Sequence, residues 1–115
     1  MAILSSHFLN GADGTHAGEV SVSVWLLSDS QERHLVFESK SKVDGRFEEE
    51  IPVDTDANYE MIVDIGAYFR KRAQEQSSLQ ICEKIVIRFR MPDPTRRYHI
   101  PIIISPNSYS CWWSS

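Results

Sequence analysis

An alternating run of isoleucines near the carboxyl end constrains the fold of this chain most. Isoleucine stands at positions 100, 102 and 104 of a segment, residues 96–106, that is otherwise rich in aromatic, β-branched and proline residues. This pattern predicts a β-strand, because successive side chains of a strand point to opposite faces. The three isoleucines would face a core, while His99, Pro101 and Ile103 would face away from it. Since Pro101 lacks a backbone donor, we expect the strand to lie at an edge or to be locally unpaired there.

Other segments show the same short alternation. We predict further strands at residues 3–9, 19–27, 34–42, 47–51, 58–65, 79–91 and 108–113. Residues 66–76 lack proline and alternation and predict the one helix. Asp44-Gly45 between extended runs predicts a hairpin. Seven or eight short strands with one helix predict an all-β fold, a two-sheet antiparallel sandwich that forms one domain over residues 1–115.

Composition excludes several classes of function. The net charge of -4 argues against a general nucleic-acid binder. No apolar run is long enough to span a bilayer, and the first residues do not resemble a secretory signal. We therefore expect a cytoplasmic protein without membrane partners, in which Cys82 and Cys111 are reduced. No closely spaced His or Cys pair has metal-ligand spacing, so we expect no metal and no cofactor.

Four short motifs carry a family resemblance. They are SHFLN at 6–10, DGR at 44–46, DIGAYF at 64–69, and YHIP at 98–101 followed by SP at 105–106 and YS at 109–110. In this order and spacing, the chain resembles the transthyretin-like family, specifically its 5-hydroxyisourate hydrolase branch. The resemblance implies an eight-stranded sandwich with one short helix. It also implies a homotetramer whose sites lie in a channel at the dimer–dimer interface, and an enzyme of purine metabolism that opens the ring of 5-hydroxyisourate with water.

The resemblance assigns catalytic roles to His7, Arg46 and His99. Hydrolysis of a cyclic amide requires a nucleophilic water and a stabilised oxyanion. Histidine titrates near neutral pH, so it can accept a proton from water and return it to the leaving nitrogen. Arginine stays protonated and can hold an anionic oxygen through two hydrogen bonds. Together the three side chains form a plausible acid–base set without a metal. His16 and His34 lie in or beside loops, where we expect ordinary surface roles.

The carboxyl-terminal tetrapeptide departs from the family pattern. Trp112, Trp113, Ser114 and Ser115 align with the family's Tyr-Arg-Gly-Ser. Asn10 also stands where aspartate is usual. We predict that the side chains that bind the substrate are Ser110, Trp112, Trp113 and Ser115. The two tryptophans either line the site or pack at a subunit interface. If they line it, the loss of a permanent charge would favour a larger, flatter, more aromatic substrate.

Three functions are consistent with these residues. The leading hypothesis is a 5-hydroxyisourate hydrolase-type enzyme with an altered substrate preference. A second is a repurposed family member of specialised metabolism that opens or closes a ring of an aromatic compound. A third is a non-catalytic carrier of small ligands of the transthyretin type. The retained His7 and His99 argue against the carrier, and Trp113 argues against the standard hydrolase.

Overall fold

Two β-sheets and one short helix make up the part of the chain that the computed structural model describes, residues 1–72 and 79–114. The helix, α1, spans Ile65–Arg72. The strands are β1 Ala2–Asn10, β2 Ser21–Leu27, β3 Arg33–Lys40, β4 Arg46–Ile51, β5 Asn58–Asp64, β6 Lys84–Phe89, β7 Arg97–His99, β8 Ile102–Ser105 and β9 Ser108–Cys111. The first sheet has the order β4-β1-β8-β9, with β7 also paired to β1, and the second has the order β3-β2-β5-β6. The predicted all-β, two-sheet sandwich is confirmed.

The isoleucine segment forms one strand that is interrupted at Pro101. Its two halves, β7 and β8, pair in parallel with β1 in a single register, in which Ser5 lies opposite His99 and Phe8 opposite Ile102. On the side away from β1, β8 pairs antiparallel with β9, and His99 of β7 forms an antiparallel bridge with Ser114. The N–H of Trp112 donates to the carbonyl of Pro101 at 3.4 Å, but proline has no N–H to return the bond. The predicted local gap in pairing is confirmed, while the alternative of an edge strand is wrong.

The core lies between the inner faces of the two sheets. Ile100, Ile102 and Ile104 are buried, as the alternation predicted. They pack with inward residues of other strands, which include Leu4, Phe8, Val22, Val24, Met61, Val63 and Ile85. Full burial of each such side chain contributes about 1.5–3 kcal/mol relative to exposure. The opposite, outward residues of the first sheet are consequently free for other roles.

The Asp44-Gly45 turn is present, but the predicted hairpin is wrong. The N–H of Gly45 donates to the carbonyl of Lys42 at 2.8 Å, which closes a tight turn. The strands on either side belong to different sheets, since β3 pairs with β2 and β4 pairs with β1. The carbonyl of Gly45 instead accepts the N–H of Phe8 at 2.7 Å. This bond fixes the turn against β1, one residue away from His7.

Two other predicted elements are shorter in the structure. The strand expected at residues 79–91 is limited to β6, and Ile81, expected to face inward, is 70% exposed. The side-chain oxygen of Asn107 accepts the N–H groups of Ile81 and Cys82, so these donors are not available to a sheet. The helix expected at 66–76 is described only to Arg72, and its remainder lies outside the described residues. Within the described part of the chain, no helix combines the length and hydrophobicity needed to cross a membrane.

We predict that Gly45→Ala destabilises the protein much more than Gly14→Ala. Both glycines have positive φ, 84° and 79°, so alanine costs about 1–2 kcal/mol at either site. A Cβ at Gly45 would lie 2.3 Å from the carbonyl oxygen of Phe8, whereas one at Gly14 meets no atom within 4 Å. Displacing that backbone adds roughly 1–3 kcal/mol. Chemical denaturation of both variants measures the difference, and equal losses would contradict the packing argument.

Candidate functional site

The outward face of the first sheet carries the predicted catalytic residues. His7 lies directly opposite Arg46 on the neighbouring strand. The adjacent row across the sheet consists of Glu48, Ser5, His99 and Ser114. Neighbouring rows on one face are two residues apart, about 7 Å, and neighbouring strands are about 4.8 Å apart. His7, Arg46 and His99 therefore share one patch, as their places in the sequence predicted.

A polar cleft of about 410 Å³ opens on this face. Its lining residues are Ser5, Ser6, Lys42, Asp44, Arg46, Phe47, Glu48, Arg97, His99 and Ser114. Three cationic and two acidic side chains leave the cleft with one net positive charge when the histidine is neutral. Such a cleft favours a small polar ligand that carries or develops negative charge.

His99 is held firmly from three sides. Its backbone N–H and carbonyl bond to the carbonyl and N–H of Ser114, at 3.1 and 2.8 Å. Its ring Nδ1 lies 2.9 Å from the hydroxyl oxygen of Ser5, on β1. This bond orients the imidazole, and it leaves Nε2 as the ring nitrogen that Ser5 does not engage. A hydroxyl can donate or accept here, so Ser5 is compatible with either tautomer.

His7 makes a different set of contacts. Its Nε2 lies 2.9 Å from Nδ1 of His16, and the two rings stack with centroids 5.0 Å apart. The backbone of Asp44 also hydrogen-bonds to His7 and stabilises its protonated form. His7 is not among the residues that line the polar cleft, although its neighbour Arg46 is.

The surroundings keep both histidines neutral near pH 7. Partial burial, which disfavours the charged form, is the main cause that lowers the pKa of His7, and Arg46 is the next. Partial burial also lowers the pKa of His99 most, followed by Arg46 and then Arg97. A neutral imidazole can accept a proton, so each ring is prepared to act as a base rather than as an acid.

The cations of the cleft differ in how firmly they are paired. The guanidinium of Arg97 forms an ion pair with Glu48 at 2.5 Å. Arg46 is only loosely associated with Asp44, at 4.0 Å, and both side chains are exposed. Arg46 can therefore turn to a ligand at little electrostatic cost, because exposed ion pairs contribute little to stability.

The carboxyl-terminal tail lies beside the cleft, but Trp113 faces the other way. In the register set by the His99–Ser114 and Ile102–Cys111 pairs, Trp113 lies opposite inward-facing Ile100. Its ring is 6.1 Å from the ring of Tyr98.

Trp112 and Trp113 contribute to a separate space of about 730 Å³, the tryptophan groove. The other residues that line it are Ile87, Phe89, Arg90, Pro92, Asp93, Arg96, Tyr98, Ile100 and Cys111. Within one chain, neither tryptophan lines the polar cleft. Ser110 is exposed on β9, and Ser115 lies outside the described residues.

Asn10 has a structural role in this chain. It is buried, and its side-chain oxygen accepts the N–H groups of Ala12 and Asp13. Its side-chain nitrogen lies 3.4 Å from the hydroxyl of Tyr68. Since Asn10 is on the inward side of β1, its side chain acts on the turn that follows rather than on the outward face.

Sequence reasoning missed several residues of this site. Ser5 and Arg97 each lie two positions before a predicted catalytic histidine, so the alternation of a strand placed them on the same face. His16 was assigned an ordinary surface role; it is exposed, yet it contacts His7 directly. No local pattern indicated this contact. Among the described residues, no group of three or more His, Cys, Asp or Glu side chains could hold a metal ion.

Comparisons with known proteins show which proteins the whole chain resembles. Residues 4–113 match the HIUase/Transthyretin family. The chain is 25% identical to the 5-hydroxyisourate hydrolase of Pseudomonas aeruginosa, over 100% of this chain and 93% of that protein. It resembles the structure of Klebsiella pneumoniae 5-hydroxyisourate hydrolase with a TM-score of 0.79 and 25% identity, over 100% of both chains. It also resembles a crystal structure of (S)-allantoin synthase with a TM-score of 0.82 and 27% identity, over 99% of this chain and 44% of that chain.

We predict that Arg46→Gln raises the pKa of both His7 and His99, because the positive charge of Arg46 lowers both. The matched variant Arg97→Gln should raise the pKa of His99 alone, since Arg97 acts only on that ring. Titration of the histidine ring signals by NMR measures both shifts. If the two variants moved the same rings, or neither moved any, the assignment of these charges would be wrong.

Proposed function

The chain belongs to the HIUase/transthyretin family, and on that premise we propose that it is a hydrolase that opens the ring of 5-hydroxyisourate or a closely similar small cyclic amide with water. The single observation that carries this proposal is the polar cleft, in which an oriented neutral imidazole, His99, lies with the loosely paired cation Arg46. The relatives named above as 5-hydroxyisourate hydrolases support the choice of reaction.

His99 acts as the base in this mechanism. Its Nε2 accepts a proton from a water molecule as the oxygen attacks the ring carbonyl, and the ring nitrogen that leaves takes the proton back. Ser5 holds the imidazole through Nδ1, so little orientation is lost when the water binds. The lowered pKa of His99 keeps the ring unprotonated at neutral pH, which is the state that a base requires.

Arg46 stabilises the negative charge that forms on the carbonyl oxygen. Its guanidinium is permanently charged, and its present partner Asp44 is distant and exposed. A charge-assisted hydrogen bond to the oxyanion is stronger than one to the neutral carbonyl, so Arg46 binds the transition state better than the substrate. His7, opposite Arg46 in the sheet, is the second acid–base group.

A second candidate follows from the tail. The same machinery would act on a larger aromatic substrate that contacts Trp112 or Trp113. The observation that favours it is the exposure of both tryptophans, which line no part of the polar cleft within one chain and would have to reach the cleft of a neighbouring copy. Without the arginine that the family carries at position 113, binding of a small anion would lose about 1.5–3 kcal/mol, or roughly 10- to 150-fold. A carrier of small ligands would not require two neutral histidines beside Arg46, so we consider this the weakest of the three functions.

We also propose that four copies of the chain assemble, with the polar clefts at the interface between dimers. The outermost strands β6 and β9 lie at the same edge of the sandwich, since Ile87 and Cys111 both line the tryptophan groove. Large apolar side chains are exposed around this edge, among them Val86, Tyr109, Trp112 and Trp113. Extension of both sheets into a second copy would cover them.

We predict that His99→Asn lowers the rate of hydrolysis by roughly 10²- to 10⁴-fold, because asparagine keeps a polar side chain but cannot accept the proton. 5-Hydroxyisourate is generated in situ from urate with uricase, and its decay is followed by ultraviolet absorbance. His34→Asn is the control, since His34 is exposed on β3 in the other sheet. Equal rates for wild type and His99→Asn would contradict the role of His99.

The rate of the wild type in the same assay separates the two candidates. A typical enzyme rate supports 5-hydroxyisourate as the substrate. A rate near the spontaneous one favours the aromatic substrate, and the triple variant Trp112→Tyr, Trp113→Arg, Ser114→Gly should then recover part of the activity.

We predict that light scattering gives a mass of about four times 13.2 kDa at micromolar concentration. The exposed apolar side chains at the β6–β9 edge are the physical reason, since they would be desolvated on assembly. A clean monomer at that concentration would rule out clefts shared between subunits.

A further inference from the structure

His16 contacts His7 because the turn before it is fixed by several hydrogen bonds. Asn10 bonds to the turn backbone through its side chain, and its own N–H donates to the carbonyl of Thr15 at 2.7 Å. The carboxylate of Asp13 accepts both the N–H and the hydroxyl of Thr15. Leu9 and His16 form an antiparallel bridge. His16 is therefore held on the outward side of β1, beside His7, by backbone geometry rather than by chance contact of surface side chains.

The hydrogen bond between the two rings requires a hydrogen on one of the two facing nitrogens and a free lone pair on the other. A neutral imidazole has one donor and one acceptor nitrogen, so of His7 Nε2 and His16 Nδ1, which are 2.9 Å apart, one carries the hydrogen and the other accepts it. A proton added to either ring can be shared between them in a charge-assisted bond, which is stronger than the neutral one. His16 is exposed while His7 is half-buried, so His16 can exchange a proton with water.

We propose that His16 is the positioning residue for His7, and that the two imidazoles act as one unit that passes a proton between the site and solvent. This inference rests on the proposed hydrolase function for its kinetic part only. It gives His7 a role distinct from that of His99, whose ring is held by a serine and not by a second titratable group.

The transfer carries one net proton across the two rings. His7, neutral with its hydrogen on Nε2, accepts a proton from the site on Nδ1, and the hydrogen on Nε2 then moves to Nδ1 of His16. The hydrogen on Nε2 of His16 then leaves to a water molecule. His16 ends neutral, with its hydrogen on Nδ1, and His7 ends neutral with a free lone pair on Nε2. The net result is one proton delivered to solvent, and the reverse sequence delivers one to the site.

The groups that face His7 favour a mobile proton. Partial burial lowers the pKa of His7 most, and Arg46 from β4 and His16 from the loop also lower it, while the backbone and carboxylate of Asp44 raise it. These opposing effects allow the proton to stay on the pair briefly without being trapped there. The nearest groups thus come from three separate elements of the described chain.

We predict that His16→Phe, which keeps a ring able to stack but removes both nitrogens, uncouples His7. In the wild type, NMR titration should show the ring signals of His7 moving in more than one step, as expected of a group that shares a hydrogen bond with a second imidazole. In His16→Phe, His7 should titrate in one step. His34→Asn is the control, because His34 lies on the second sheet away from the pair. Identical titration of His7 in wild type and His16→Phe would overturn the proposal, whatever the activity of the protein.

The kinetic part uses buffer dependence. If the wild type hydrolyses 5-hydroxyisourate, His16→Phe should turn over about tenfold more slowly at low buffer concentration. Added imidazole should restore much of the rate, because free imidazole can carry the proton that His16 no longer carries. A merely structural effect would not respond to imidazole, so a slow variant without rescue would reject the relay. An inactive wild type would count against the proposed function, while the NMR titration would still decide whether the pair is coupled.

Discussion

The parallel pairing of β1 with the interrupted β7–β8 strand is the contact on which the site depends. This single register brings Ser5 opposite His99 and Phe8 opposite Ile102, across 94 positions of sequence. The inward residues of these strands, among them Leu4, Phe8 and the isoleucines, are buried in the core. Their burial therefore stabilises the same register that aligns the polar residues on the outward face. A slip of one residue would bury His99 and expose the isoleucines. Packing of the core therefore fixes the geometry of the outward face.

Pro101 interrupts this strand without separating it from the sheet. Pro101 has no N–H to donate to the carboxyl-terminal segment, yet the N–H of Ile100 still donates to the carbonyl of Ser5 at 2.9 Å. The bonds of His99 with Ser114 restore the pairing immediately beyond the gap. The histidine therefore lies in a section of the sheet that is hydrogen-bonded on both sides. Its side chain is already oriented, so little conformational entropy would be lost when a ligand binds.

Two imidazoles lie near one cation, but their surroundings differ. His99 bonds to a serine hydroxyl, which orients it and does not compete for a proton near neutral pH. His7 bonds to another imidazole, whose ring nitrogens can themselves carry a proton. The positive charge of Arg46 lowers the pKa of both rings, and its loose ion pair with Asp44 leaves the guanidinium able to bind a ligand. The proposed division into a base and a proton-exchanging pair rests on this difference in hydrogen-bond partners.

The sequence alone indicated the inward face of the isoleucine segment, because alternation is a local property of extended backbone. It placed His99 on the face opposite to Ile100 and indicated the turn at Gly45, and its motifs predict a site at His7, Arg46 and His99. Tertiary structure decided which strands are neighbours, because pairing depends on contacts between residues far apart in the chain. The Asp44-Gly45 turn bonds to β1 and does not close a hairpin. Asn107 takes the N–H of Ile81, so β6 is shorter than expected. Trp113 packs near Tyr98. Tertiary structure also placed His16 against His7, since a tight turn returns the chain along β1 and no periodic pattern encodes where its side chains end.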